Sequence, residues 1–572
     1  MIIQKHQVEL AYFSMEMMLE SDVPTYAGGL GVLAGDILRS CADMHTPAVG
    51  ITLVYSGDTF SQIINLDGSQ TFGRSDWQKL DQLTKLPNRI EMEIAGQHVI
   101  VMCWKHDVVS PDGFVVPVYL LDTNILENPP WIRDFTQNLY GTNGDIRFCQ
   151  ELVLGIGGVK MLRSLGYENI KTYHLNEGHT AFATLELLAE CGYRDDEVKK
   201  KCIFTSHTPV PEGHDRFNYD QAWHFGEKYL PWHIPKLAGE YELNMTVLAS
   251  NLSHKSFAVS EKHQAVMNHI FPGLNFDFVT NGVHHRNWTA PTMQNLYNHY
   301  IPEWFDDPSR LIEAPDKLPD DRLWEHHQDA KNKLMRYVNL RLTSVLSESE
   351  KAQPSEKELF DADTLTIALA RRPVPYKRPL LLYRDIERLI RIGGGKIQII
   401  QCGKSHPGDP TSQNFVREIV NCSKRYKDQI RIVYLENYSP KLARILVSGT
   451  DVWLNTPKRP LEASGTSGMK ASFNGVLNFS ILDGWWIEGY RADPDAGFNI
   501  GPLEDILTPG DSDEQDAEDM YRVLEEQIIP LYYNDRPGWI KRMKQAIALG
   551  SIFNTHRVVS EYQAKGWDIK SN

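Results

Sequence analysis

Along the second half of the chain, short apolar runs alternate with segments of helical periodicity. TLTIALA (364–370), KIQIIQCG (396–403), RIVYLE (431–436), DVWLN (451–455) and VLNFSIL (476–482) read as strands. Helices are predicted from Pro379 to Ile392, over 412–427 and over 440–448. Strand, helix and strand in repetition mean parallel pairing through right-handed crossovers. Ligands of such sheets sit at the carboxyl ends of the strands, so the loops of interest are 371–378, 403–410, 435–439 and 456–470. The first half has the same rhythm. AYFSME (11–16) reads as a strand, and Leu30, Leu33, Ala34, Ile37, Leu38 and Cys41 recur at helical spacing behind a glycine cluster. Residues 89–122 instead alternate and turn, which predicts an antiparallel excursion. From about 145 come a helix to Leu165, the strand NIKTYHLN, a helix to Glu190, then KCIFTSH, FAVS and FDFVTNG. A long polar helix over about 320–347 leads into a charged stretch poor in apolar residues, which puts a domain boundary near 350–362. The expected architecture is α/β: two Rossmann-like domains, 1–350 and 351–551, facing across a cleft, with the antiparallel β insertion in the first.

Composition narrows the function classes. The 572 residues, at roughly 150 per domain, suggest about four units or two large α/β domains. The formal charge of −15 argues against a general binder of nucleic acid or anionic membrane, both of which need a basic footprint. Net charge leaves a local basic pocket open. The 7 cysteines show no Cys-x-x-Cys spacing, which fits buried thiols in a reducing compartment. No apolar signal core opens the chain and no window nears ~18 apolar residues, so a cytoplasmic, non-membrane protein is expected. The histidines show no metal-ligand spacing, and His284 and His285 point to opposite sides if extended, so no metal site is expected.

Five segments carry candidate chemistry. Glu-Ala-Ser-Gly-Thr-Ser-Gly-Met-Lys (462–470) follows the DVWLN strand and opens a short helix. Its small residues let main-chain N–H groups point at an anion, and Lys470 beside such a nest supplies what pyridoxal phosphate needs: an amine for attachment and a phosphate cradle. A plain glycine-rich turn with a surface lysine meets the same spacing. Arg371, Arg372, Lys377 and Arg378 place four cations within eight residues at a strand end, a local anion trap or else a solvated basic loop. Gly28, Gly29 and Gly31 precede the first periodic helix without the dinucleotide fingerprint. Ser206-His207-Thr208 and Thr280-Asn281-Gly282 are strand-end loops with donors and acceptors suited to sugar.

Taken together, AYFSMEMMLESDVPTYAGGLGVLAGDILRSCADM, HLNEGHTAF, TSHTPVPEGHDRF, VTNGVHHRNW, ARRPVPYKRPLLL, QCGKSHPGD, VYLENYSP and EASGTSGMKASFNGVLNFSILDGWW resemble, in order, the α-glucan phosphorylases (glycogen, starch and maltodextrin phosphorylases). The resemblance implies a glycosyltransferase-B type fold whose closing helix (about 552–572) packs back on the first domain. It implies reversible phosphorolysis of α-1,4-glucan or maltooligosaccharide ends by orthophosphate, giving α-glucose 1-phosphate with retention. Lys470 would hold pyridoxal phosphate. Arg371, Tyr438, Thr466, Ser467 and the amides through Gly468 would take the cofactor phosphate, with Trp288 near the ring. Arg372, Lys377 and Gly29 would bind orthophosphate, helped by the amides from Gly28. His207, Asn281, Glu462, Ser464 and Gly465 would hold the glucosyl ring, with Leu30 beside it and Glu177 and His179 on the sugar side. His207, Arg372, Lys377 and Glu462 are the expected catalytic groups. The family often forms homodimers.

The chain departs from the long family members by its length, by Arg371 where lysine is usual, by Thr-Ser-Gly in the glycine loop and by Asp-Gly-Trp-Trp at 483–486. These features resemble a short bacterial branch and carry over no regulation by phosphorylation or nucleotide. Tyr55 is the candidate for the aromatic that covers the cofactor. Two other readings share the scaffold: a nucleotide-sugar-dependent synthase-like transferase, and a catalytically silent glucan-binding protein.

Overall fold

The computed structural model describes residues 5–21, 23–57, 60–74, 82–141, 143–349, 358–503 and 506–569. The chain divides into two compact units. The first comprises Met1–Thr59, Arg74–His284 and Thr555–Asn572, and the second Phe60–Gly73 and His285–Asn554.

In the first unit, seven strands pair in parallel in the order Phe276–Phe278, Lys255–Ala258, Cys202–Thr205, Thr172–Asn176, Leu10–Ser14, Ala48–Leu53, Val115–Asp122. Gln97–Val109 and Thr84–Ile94 extend this sheet by antiparallel pairing, joined at Ala95 and Gly96, both with positive φ. The expected excursion is present, but its last strand returns to the parallel sheet beside Ala48–Leu53. Both faces of the sheet are covered. Ala11, Phe13, Val49 and Ile51 enter one apolar cluster, while their neighbours Leu10, Tyr12 and Ala48 enter the other. That two-sided burial is why these strands read as unbroken apolar runs. The second cluster is completed by Val558, Val559 and Tyr562 of the Thr555–Lys565 helix, and Trp567 Nε1 donates to His174 Nδ1 at 3.1 Å.

The second unit holds a parallel sheet in the order Arg431–Leu435, Ile397–Cys402, Leu365–Ala370, Val452–Asn455, Leu477–Ile481, Gly497–Ile500. The sequence reading missed its last strand and the hairpin Phe60–Ile64/Gln70–Arg74. It also put the boundary near 350–362, whereas the division falls between His284 and His285; residues 350–357 of the expected linker lie outside the described residues. The polar helix Asp320–Ser349 belongs to the second unit, where it buries Leu323, Leu334 and Val338 and is docked by polar side chains as well. Lys331, fully buried, pairs with Asp451 and donates to the Thr364 carbonyl at 2.8 Å, and His327 Nε2 bonds Asp451 Oδ1 at 2.9 Å. A buried polar contact of this kind looks like a solvated face in the pattern.

Both sheets are doubly wound. Strand order reverses between Leu10–Ser14 and Thr172–Asn176 in the first unit, and between Leu365–Ala370 and Val452–Asn455 in the second. The crevice at such a reversal is where α/β sheets bind ligands. No helix among the described residues is long and apolar enough to cross a membrane.

Candidate active site

In the second unit, the loops after the two strands at the reversal meet. Glu462, buried, receives Lys377 Nζ at 2.7 and 3.0 Å and an ion pair from Arg371 Nη2. Burial alone would raise the Glu462 carboxyl, but Lys377 and Arg371 outweigh it and hold the group at about 2. Two cations on one carboxylate leave a surplus positive charge. Arg371 also keeps two buried donors, Nε and Nη1, without a hydrogen-bond partner among the described residues. Ser464 Oγ is buried and likewise unbonded. A guanidinium with free donors beside a buried hydroxyl is a chemical match for phosphate oxygens.

The cation cluster is smaller than the sequence suggested. Arg378 is buried and consumed by structure, donating to the carbonyls of Thr456 and Pro457 and pairing with Asp513 and Asp516. Arg372 is exposed, and its guanidinium makes no ion pair among the described residues.

The 462–466 loop leads into the helix Ser467–Ser472, which carries Lys470. Lys470 is buried with Nζ 4.1 Å from the centroid of the Trp288 ring. Asn474 fixes this arrangement by donating to the carbonyls of Trp288 (2.9 Å) and Lys470 (3.0 Å) and accepting from Ala290 N (2.7 Å). The Ser467 hydroxyl is engaged by Trp453 Nε1 at 3.0 Å and by Asn455 at 3.3 Å, so an anion would meet its main-chain N–H rather than its side chain. Thr466 has no side-chain capping bond. Gly468 is glycine for packing: a Cβ there would lie 2.5 Å from Asn478 Oδ1. Gly465 has φ +81, and a Cβ on Gly484 would strike the Ser464 carbonyl at 2.5 Å. Trp485 and Trp486 are buried, with Trp485 N donating to Ser464 O at 2.9 Å, so the Asp-Gly-Trp-Trp departure supports the loop from behind. Tyr438, half-buried, follows Asn437, whose φ of +55 aims its side chain at Gln62 N (2.6 Å).

In the first unit, the reversal gathers the glycine loop and the Glu177–His179 segment. Gly28 caps the Gly29–Asp43 helix. A Cβ on Gly28 or Gly29 would meet nothing within 4 Å, whereas one on Gly31 would lie 2.5 Å from Tyr26 Cβ. Packing therefore demands glycine at 31 and leaves 28 and 29 open to a close approach, with Leu30 half-buried beside them. Glu16, which the sequence reading overlooked, accepts from the amides of Ala27 (2.7 Å) and Gly28 (3.0 Å) and from the Tyr140 hydroxyl.

Glu177 adopts φ +76, ψ 161, a region almost reserved for glycine, at a cost of about 1–3 kcal/mol. Its carboxylate is held by His207 N (2.7 Å), Gly178 N (3.0 Å) and Thr208 Oγ1 (3.0 Å). Burial raises its pKa against those donors. His207 is kept neutral, chiefly by burial and then by His263, His174 and His179. Asn176 donates to Ser14 Oγ, so its Oδ1 faces His207 Nε2 at 2.7 Å and the proton sits on Nε2. Asn281 is buried, and its carbonyl accepts from Arg557 at 3.1 Å, which ties this loop to the C-terminal helix. Tyr55 does not fit the covering role: it is fully buried in the first unit's core with its hydroxyl on Met15 O at 2.7 Å.

The carbohydrate phosphorylase family model matches residues 226–523. The maltodextrin phosphorylase of Thermococcus litoralis is 36% identical over 98% of this chain and 70% of its own length. The glycogen phosphorylase of Aquifex aeolicus is 35% identical over 97% and 85%. An uncharacterized protein of Methanocaldococcus jannaschii is 31% identical over 97% of this chain and 99% of its own, a relative of matching length. The chain belongs to the carbohydrate phosphorylase family.

Proposed function

We propose that the protein is an α-glucan phosphorylase, which transfers the terminal glucosyl unit of an α-1,4-glucan to orthophosphate and releases α-glucose 1-phosphate with retention. The observation that carries the proposal is Arg371: half-buried, paired to Glu462 alongside Lys377, and still holding two buried donors without a partner among the described residues, on a loop of the unit that buries Lys470 against Trp288.

Pyridoxal phosphate fits these residues. Lys470 offers the amine, Trp288 a flat apolar neighbour, and Arg371, Tyr438 and the amides of 466–468 a cradle for its phosphate. When bound, it would supply a phosphate group that exchanges a proton with the substrate phosphate. For orthophosphate the second unit offers Arg372 and Lys377, and the first unit offers the Gly28–Gly29 amides. For the sugar the second unit offers Glu462, Ser464 and Gly465, and the first unit offers Asn281, Leu30, Glu177 and His179, with His207 presenting Nδ1 as an acceptor. Negative charge beside a developing oxocarbenium ion stabilises the transition state. Seven free cysteines support a reducing, cytoplasmic setting.

The test is orthophosphate-dependent release of glucose 1-phosphate from maltodextrin by the cofactor-loaded enzyme. Lys470→Ala is expected to abolish it together with cofactor retention. Wild-type protein that forms no glucose 1-phosphate, or full activity in Lys470→Ala, rejects the proposal.

A further inference from the structure

Arg147, on the helix Gly144–Leu152, is surrounded by acceptors of the first unit. Nη2 lies 2.7 Å from Asp215 Oδ2, Nε lies 2.9 Å from Glu151 Oε1, and Cζ sits 4.6 Å above the Tyr140 ring. Asp215 Oδ2 is also 3.4 Å from His179 Nε2, and Tyr140 packs edge-on against the His179 ring at 5.5 Å. His179 is buried, and its Nδ1 has no hydrogen-bond partner among the described residues. Through its hydroxyl, Tyr140 reaches Glu16, which holds the Ala27 and Gly28 amides.

We propose that Arg147 is a positioning residue for sugar recognition: acting through Asp215 and Tyr140, it fixes the His179 ring with its proton on Nε2 and presents Nδ1 as a bare acceptor to a sugar hydroxyl. The inference rests on the phosphorylase reading and deepens it.

Charge and tautomer decide which ring nitrogen accepts. A carboxylate beside one ring nitrogen selects the tautomer protonated there, leaving the other nitrogen as acceptor. The same carboxylate favours a second proton, which would turn Nδ1 into a donor and invert recognition. Burial opposes that proton first and Arg147 second, with His214 adding, and the ring is held at about 3 against the pull of Asp215. Burial and Asp215 raise the Glu151 carboxyl against the pull of Arg147, so it is less readily ionised than Asp215. Among the described residues, the charged and titratable groups facing His179 are Arg147 and Glu151 of the helix, Tyr140 before it, His207 after the Cys202–Thr205 strand, and His214 and Asp215 of the following loop.

The experiment measures kcat and KM for maltodextrin and for orthophosphate across pH in cofactor-loaded wild type, Arg147→Met and Arg147→Lys. In Arg147→Met one of the groups that depress His179 is gone while burial and His214 remain, so the ring takes its second proton at a higher pH than in wild type. Its glucan KM is expected to rise roughly tenfold, the size of one lost hydrogen bond, and to climb further with acid from a higher pH than any such rise in wild type. The orthophosphate KM should stay put. Arg147→Lys keeps the charge but not the fork, so its glucan KM should rise without the new pH dependence. That second variant carries the test should Arg147→Met fail to fold. Parallel rises in both KM values, or a pH profile of Arg147→Met that follows wild type, overturns the inference. A pH-dependent glucan KM in Arg147→Lys overturns it as well. A wild type that releases no glucose 1-phosphate instead overturns the parent reading.

Discussion

Replacing Arg371 by methionine probes the anion site most directly. The side chain has one committed donor, on Glu462, and two buried donors without partners among the described residues. If the cofactor phosphate accepts from those two, each charge-assisted bond is worth about 1.5–3 kcal/mol. The guanidinium is 13% exposed, so water screens part of this. A net loss of about 3 kcal/mol follows, on the order of a hundredfold in affinity. Arg371→Lys keeps the charge and loses the fork, so roughly a tenfold loss is expected. The assay titrates cofactor-stripped protein with pyridoxal phosphate, following absorbance of the lysine-bound cofactor and quenching of tryptophan fluorescence, since Trp288 lies against Lys470. Arg372→Met serves as the contrast. Its side chain is exposed, so it should raise the orthophosphate KM and leave cofactor affinity alone. Wild-type cofactor affinity in Arg371→Met would refute the reasoning, as would equal loss in Arg372→Met.

Two carboxyls predict opposite pH signatures. Glu462 is depressed to about 2, so its pairs stabilise the fold above the unfolded carboxyl value and that contribution is lost as pH falls from about 4.5 to 2. About 3 kcal/mol of acid-labile stability should be absent from Glu462→Gln, and denaturant midpoints that fall equally with acid in both proteins would contradict this. Glu151 is raised by burial and Asp215, so the unfolded state loses its proton first and folding is penalised as pH rises above the ordinary carboxyl value. Glu151→Gln removes that titration and should gain thermal stability over wild type as pH rises from about 4.5 to 7; a constant difference would show Glu151 to be ionised in the fold.

Much of this was legible in the chain because burial on two faces writes itself as unbroken apolar runs. Leu365–Ala370 and Ile397–Cys402 are fully buried strands that no amphipathic pattern competes with. The loops after them could be singled out by topology alone. Polar burial was not legible. Lys331 and His327 look like members of a solvated helix face, yet they dock that helix and so move the boundary from 350–362 to His284. Arg378 reads as one more cation of an anion trap, yet two acidic residues and two carbonyls claim it. Charge runs in sequence give the number of cations and not their partners. Arg147, Glu151 and Asp215 went unnoticed for the same reason, since they lie 64 residues or more apart in part of the cluster and share no motif; only Arg147 and Glu151, four apart on one helix, left a trace.

Glycine shows most clearly how one letter carries two physical causes. In the 462–470 loop, Gly468 is required by the protein's own atoms, as is Gly484 beneath that loop, and Gly465 is required by its backbone angle. At 28 and 29 none of these holds: φ at Gly28 is −150, open to any residue, and a Cβ on either would meet only empty space. A position where the fold tolerates a side chain is one where something outside the fold must be what excludes it, if glycine is needed there at all. The Gly28–Gly29 step lies at the strand reversal of the first unit, on a helix start whose preceding amides Glu16 already holds. Steric demand inside the protein and close approach from outside it give the same letter in the sequence, and only the second kind points to a ligand.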